Sequence, residues 1–303
     1  MSVTEEKDFR CGFVAIVGRP NVGKSTLLNQ VLGQKISITA RKPQTTRHSI
    51  RGIKTTEDAQ IIYVDTPGIH LHGKRAMNRY LNRTASGSIE DVDAVVFVVE
   101  GAKWTEEDQA VFERVTQSGH PIVLAINKID QIKDKTQILP LIEKFQKMHG
   151  FAAIVPISAR TGKSVENLEQ EIKKLLPLSH PFYPEEQITD RSERFLAAEI
   201  IREKLFRNLG DEIPYALTVE IEKFAEEDGM LHICGLIWVE RPGQKVIVIG
   251  KDGEKLKLVG QEARKDMNRL FDRKVYLQLW VKVKEGWSDD ERALRSLGYS
   301  DEL

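Results

Sequence analysis

Residues Gly18-Arg19-Pro20-Asn21-Val22-Gly23-Lys24-Ser25-Thr26 carry the spacing GxxxxGK[ST], with an apolar run before them and a helix-forming stretch after. Glycines at those positions let backbone N–H groups turn inward around phosphates, at a helix N-terminus whose dipole favours anions. Lys24 is then placed for β- and γ-phosphate oxygens, and Ser25 for Mg²⁺. Asp65-Thr66-Pro67-Gly68 is expected to meet the same ligand, Asp65 holding the metal through water and the Gly68 N–H facing the γ-phosphate. Thr45 and Thr46 lie between these elements; one hydroxyl, assigned here to Thr46, would complete the metal shell. Asn127-Lys128-Ile129-Asp130 offers a carboxylate to guanine N1–H and its 2-amino group. Adenine lacks that donor pair and would leave the carboxylate unpaired. Ser158-Ala159-Arg160 begins 28 residues beyond Asp130 and is expected to present a backbone N–H to guanine O6. A small-molecule kinase with a phosphate loop would lack the guanine-reading NKID.

The elements that must hold these groups follow from hydrophobic patterning. Phe13 to Val17, Ile61 to Val64, Ala94 to Val99, Ile122 to Ile126 and Ala153 to Ile157 are short runs rich in Val and Ile, bounded by turn formers. Helical stretches such as Ser25 to Leu32 and Glu106 to Gln117 separate them. Alternating strand and helix predicts an α/β fold, a mostly parallel sheet with helices on both faces. Ligands of such sheets collect at the carboxyl ends of the strands, where the motifs lie.

Near Pro177, Pro181 and Pro184 the pattern breaks, as a stiff linker would. Beyond it the order is α+β: a helix from Ser192 to Leu209, a hairpin of Ala216 to Phe224 with Leu231 to Glu240, a strand near Val246, a helix from Gly253 to Leu270 and a strand from Val275 to Lys284. Expected boundaries are a tail over 1–9, a first domain over 10–178, a linker over 179–188, a second domain over 189–284 and a C-terminal segment over 285–303. The GxxG loop Gly250-Lys251-Asp252-Gly253 is expected between an apolar strand and a helix, with Ile249 and Lys255 beside it. Such glycines admit a sugar–phosphate backbone, and Lys251 adds charge. Between Arg241 and Lys284, 12 Lys and Arg face 5 Asp and Glu, a local +7 hidden in a total of 45 against 45. That places a candidate nucleic-acid surface in the second domain.

The remaining composition excludes classes. With 41% hydrophobic residues the chain can bury cores. Two cysteines, Cys11 and Cys234, exclude a disulfide framework or a four-cysteine zinc site. The apolar run Ala94 to Val99 is far short of the ~20 residues of a spanning helix, and the acidic N-terminus is unlike a secretory signal. A soluble cytoplasmic protein is expected.

In order, GRPNVGKS, TT, DTPG, NKID and SAR resemble the signature elements of small GTPases of the translation-factor-related class, over residues 10–177. The resemblance implies a GTPase that needs Mg²⁺ with GTP or GDP. It assigns catalytic weight to Lys24, Asn21, Thr46 and Gly68, and metal ligation to Ser25, Thr46 and Asp65. One departure matters: Ile69 stands where a Ras-like pattern has glutamine, and it cannot orient water. In this subclass an asparagine at the position of Asn21 is implied to help bind K⁺. The second half resembles a type II KH domain, and the two together, ending in GWSDDERALRSLGY, resemble the bacterial Era GTPases. That family is implied to bind the 3′ region of 16S rRNA, to act in 30S subunit assembly and to associate peripherally with the inner membrane. A monomer that binds no DNA is expected. The alternative is a membrane or signalling GTPase whose second domain binds protein.

Overall fold

In this computed structural model, residues 8–40, 45–68, 76–101, 103–210, 213–297 and 299 are described. The elements run β1 (Arg10–Val17), α1 (Lys24–Leu32), β2 (Ile50–Thr55), β3 (Ala59–Asp65), α2 (Ala76–Glu90), β4 (Ala94–Glu100), α3 (Glu106–Gln117), β5 (Ile122–Asn127), α4 (Ile138–Met148), β6 (Ala153–Pro156), α5 (Val165–Leu175), α6 (Glu193–Asn208), β7 (Leu217–Glu227), β8 (Met230–Val239), α7 (Pro242–Ile249), α8 (Glu254–Phe271), β9 (Val275–Val283) and α9 (Glu291–Ser296). The chain divides into two compact units, one mainly before Asp190 and one mainly from Arg191 onward.

The first unit is built on a six-stranded sheet of order β2-β3-β1-β4-β5-β6. Five strands are parallel; β2 alone runs antiparallel, against β3. Parallel central strands are covered on both faces, so their residues are apolar without alternation. Val95, Phe97 and Val99 of β4 and Leu124 and Ile126 of β5 pack with Ala85 and Ile89 of α2, Val111 and Val115 of α3 and Phe145 of α4. The antiparallel edge strand β2 has no sustained Val/Ile run, and its pattern did not single it out. Gly52 explains its fit: a Cβ there would lie 2.6 Å from Leu28 and 2.7 Å from Leu32, so α1 packs directly on strand backbone. The consequence for function is positional. Gly18, Asp65, Glu100, Asn127 and Ser158 all fall at or just beyond the carboxyl ends of strands in one sheet.

The second unit has a three-stranded sheet, β7-β8-β9, with β7 and β8 antiparallel and β8 and β9 parallel. Asp228 and Gly229 join β7 to β8 with positive φ of 51° and 70°, the conformation a two-residue hairpin turn demands. Ser192 caps α6, accepting from the Phe195 N–H at 3.2 Å. One expectation fails: Val246 is not in a strand. Val246-Ile247-Val248-Ile249 closes helix α7. Pro242 sits in its first turn, and the Gln244 side chain accepts from the Glu240 and Arg241 N–H groups at 2.9 and 3.0 Å. Those start signals outweigh the β-propensity of four β-branched residues, which is a weak prior. Only Val248 is fully buried, while Val246 is 69% exposed, so no buried strand was being formed. The GxxG loop therefore joins two helices, and the order α6-β7-β8-α7-α8-β9 is that of a type II KH domain.

Candidate functional site

The phosphate loop follows β1 directly and turns on three residues of positive φ: Gly18 at 155°, Asn21 at 63° and Gly23 at 106°. At Gly23 a Cβ would lie 2.3 Å from the Asn127 amide nitrogen, so this glycine is required by close approach as well as by φ. Lys24 opens α1, fully buried, with Nζ donating to the Gly18 and Arg19 carbonyls at 2.8 and 3.0 Å. Burial lowers its ammonium to about 8; Asp65 and Asp108 partly offset that, while Arg19 lowers it further. An ammonium so desolvated gains most from an arriving phosphate charge.

Asp65 ends β3 and is fully buried. Its Oδ2 accepts from the Ser37 hydroxyl at 2.8 Å and the Thr46 hydroxyl at 3.4 Å. Its Oδ1 has no partner among the described residues. Ser25 Oγ and Thr46 Oγ1 lie 2.8 Å apart. Burial pushes the Asp65 carboxyl upward, opposed by Lys24 and by the hydroxyls of Ser37, Ser25 and Thr46. A buried carboxylate oxygen left unpaired beside two hydroxyls is a hard-oxygen donor set, and it fits Mg²⁺. Gly68 lies against the phosphate loop, where a Cβ would be 2.9 Å from Pro20 Cγ. Thr66 Oγ1 donates to the Ile16 carbonyl at 3.0 Å, tying the start of this segment to β1. Ile69 lies outside the described residues.

At the other end Asn127 binds three motifs together. Its Nδ2 donates to the Val22 carbonyl at 2.8 Å, and its Oδ1 accepts from the Lys128 and Ala159 N–H groups at 2.7 and 2.9 Å. Lys128, with φ of 64°, sends Nζ to the Asn21 carbonyl at 2.8 Å and to Glu100 Oε2 at 3.0 Å. Ile129 is buried beneath the loop. Asp130 is oriented by Ser158 Oγ at 2.7 Å and by Arg160 Nη2 at 2.7 Å. The Ser158 hydrogen bond, with the charge of Arg160, holds its carboxyl below the usual range, so it is ionised and an acceptor at neutral pH. The phosphate-loop residues, the candidate metal donors and the candidate guanine acceptor thus meet in one unit. Pattern reading did not find Ser37, Glu100 and Asp108. A carboxylate ending a buried strand was the available signal for Glu100, and for Asp108 it was the Thr105-to-Asp108 capping box that opens α3.

In the second unit the GxxG loop carries positive φ at Gly250 (76°), Asp252 (50°) and Gly253 (76°). The two glycines differ. A Cβ on Gly250 would lie 2.8 Å from Lys255 Cγ, whereas one on Gly253 would meet nothing within 4 Å. Lys251 and Asp252 are exposed at the loop tip, with Ile249 half-buried behind it. Beside the loop, α8 and β9 enclose a groove of about 450 Å³, lined among others by Leu256, Lys257, Gly260, Arg264, Leu277 and Leu279. Its three leucines suit bases, and its cations Lys257 and Arg264 suit phosphates. The groove residues of α8 recur at helical spacing, but which face of α8 meets β9 is a tertiary fact.

Comparison with known proteins agrees with both halves. The family described as "50S ribosome-binding GTPase" matches residues 13–128, and the KH domain family matches residues 212–288. GTPase Era of Ectopseudomonas mendocina is 60% identical over 299 residues, 99% of this chain and 100% of that protein. GTPase Era of Pseudomonas aeruginosa is 60% identical over 292 residues, 96% of each chain. Among solved structures, Aquifex aeolicus Era, as a variant bound to GDP·AlF4⁻, is 40% identical with a TM-score of 0.94, covering 96% of this chain and 100% of that one. Era in complex with MgGDPNP and nucleotides 1506–1542 of 16S ribosomal RNA is 40% identical with a TM-score of 0.93, covering 96% of this chain and 99% of that one. With such identity along nearly its whole length, and with both of its units accounted for, the chain belongs to the Era family of GTPases.

Proposed function

We propose that the protein is a GTP-hydrolysing switch whose second unit binds the 3′ region of 16S rRNA and which acts in assembly of the 30S subunit. The observation that carries the proposal is the presence, in one chain, of a carboxylate held ready for guanine by Ser158 and Arg160 and of a groove lined by leucines and cations beside a GxxG loop. The rRNA complex of a 40% identical Era supports the choice of RNA.

GTP binds with its base on Asp130, against the Asn127, Ile129, Ser158 and Ala159 framework. Its phosphates lie in the loop from Gly18 to Thr26, with Lys24 donating to β- and γ-oxygens. Ser25, Thr46 and Asp65 would hold Mg²⁺, which when bound supplies positive charge to the phosphate oxygens. The Gly68 N–H faces the γ-phosphate. Ile69 carries no group that could position water, so turnover is slow without a partner, and Asn21 would help hold a K⁺ ion, whose charge would assist there. The RNA chain follows Ile249, Gly250, Lys251, Asp252, Gly253 and Lys255 into the groove. No helix among the described residues is long and apolar enough to cross a membrane. The family resemblance is what supports a cytoplasmic monomer with peripheral association to the inner membrane. Binding of a single strand with the 3′-terminal 16S sequence, against a scrambled strand, in the GTP and GDP states tests the proposal. Equal affinity for the two strands would refute it and favour a second unit that binds protein.

A further inference from the structure

Four charged side chains alternate in sign along the flank of the nucleotide site: Asp108, Arg19, Glu100 and Lys128. Arg19 Nε donates to Asp108 Oδ2 at 3.0 Å, and its Nη2 donates to Glu100 Oε2 at 3.0 Å. The same Glu100 oxygen accepts from Lys128 Nζ at 3.0 Å, and Lys128 Nζ reaches on to the Asn21 carbonyl at 2.8 Å. We propose that Glu100 is a positioning residue for guanine nucleotide: it locks the phosphate loop to the base-reading loop, so that both ends of the site are set before nucleotide arrives. The proposal rests on the guanine-nucleotide site described above.

The support is mechanical and electrostatic. Glu100 ends β4 in register with Asn127 of β5, and the Gly101 N–H donates to the Asn127 carbonyl at 2.9 Å, so its backbone is fixed to the sheet. At the far end Asp108 is fully buried and also accepts from the Thr105 N–H and hydroxyl at 3.0 and 2.9 Å, which pins Arg19 to the start of α3. Asn21 and Lys128 both hold left-handed backbone, at φ of 63° and 64°. That conformation is unfavourable for a residue with a Cβ and persists where surroundings over-determine it. Glu100 is the group through which the Arg19 and Lys128 side chains are joined. Burial raises its carboxyl, but Lys128 and Arg19 outweigh burial and keep it ionised. The side chain is only 18% exposed, so the pairing is weakly screened. A ligand that touches both loops gains from their fixed separation; one that touches a single loop does not.

The test uses the full chain and three probes: GDP, a non-hydrolysable GTP analogue and inorganic pyrophosphate as competitor. Glu100→Ala is expected to weaken GDP and the analogue by one common factor of about ten, chiefly through faster dissociation. Pyrophosphate, which meets only the phosphate loop, should change by less than about twofold. Glu100→Gln keeps the length and an acceptor but not the charge, and should fall between wild type and Ala with an unchanged melting temperature. It decides the question if the Ala variant folds poorly. Adding Arg19→Ala to Glu100→Ala should cost far less than the product of the single effects, because both cut one chain of contacts. Unchanged GDP dissociation in both Glu100 variants would overturn the proposal. Equal losses for pyrophosphate and GDP would also overturn it, showing that Glu100 shapes the phosphate loop alone. Failure of the underlying site assignment would appear differently, as a wild-type protein that does not bind GDP.

Discussion

Raising the pH should loosen the protein's hold on GDP through Lys24. Burial brings this ammonium from 10.5 to about 8, a difference worth roughly 3 kcal/mol against the charged form. The sign follows from that direction. Between about 8 and 10.5 the unfolded chain binds more protons at this site than the folded one, so the apo protein gains stability as pH rises through the window. Nucleotide works the other way. The phosphates favour the ammonium, so above about pH 8 the free protein must take up a proton to bind, and affinity falls about tenfold per further pH unit. Between about pH 7 and about pH 9 the expected loss in GDP affinity is therefore close to tenfold. Isothermal calorimetry at both pH values, in two buffers of different ionisation enthalpy, would count the proton taken up. Lys24→Ala serves as the reference: any slope it retains belongs to the base or to other side chains. If wild type and Lys24→Ala show the same pH slope, or wild type takes up no proton at about pH 9, then Lys24 is not the phosphate partner or burial does not depress it.

Four further outcomes are expected. Asp130→Asn should weaken GTP by about ten- to a hundredfold, the size of a lost charged pair of hydrogen bonds, and should gain tolerance for xanthine nucleotides; nucleotide competition measures both. Hydrolysis should run faster in KCl than in matched NaCl, and Asn21→Ala should erase that difference; equal rates in the two salts would remove K⁺ from the proposal. Gly250→Ala should cost the second unit about 1–3 kcal/mol, because its φ of 76° with ψ of 177° is open only to glycine and the new Cβ crowds Lys255. Gly253→Asp has open space before it, so its loss of RNA binding should arise from charge and backbone strain, with GTP hydrolysis retained; filter binding to the 3′-terminal 16S strand with parallel phosphate release reads both.

Much of the nucleotide site was legible because its parts are local. A phosphate loop, a candidate metal carboxylate after a strand and a candidate guanine carboxylate after another are each set by residue type at fixed short spacing. In one parallel sheet the strand ends must lie along one edge. The strands that carry them announce themselves by Val and Ile alone, whether fully buried like β4 and β5 or half-buried at the edge like β6. The edge strand β2 does not, since its stability comes from pairing with β3 and from the Gly52 contact with α1, neither of which leaves a periodic trace. The run Val246 to Ile249 has the composition of a strand and the conformation of a helix, because Pro242, Gln244 and the position of Gly250 decide its backbone before β-propensity can. Cations and glycines near residue 250 were countable in the chain, but the groove needed α8 to turn one face to Leu277 and Leu279. The alternating chain from Asp108 to Lys128 was least visible of all. Its members are scattered over more than a hundred residues; Arg19 and Lys128 lie in motifs, but nothing in their spacing links them to Glu100 or Asp108, and only the placing of β4 between β1 and β5 brings a single carboxylate within 3.0 Å of both cations.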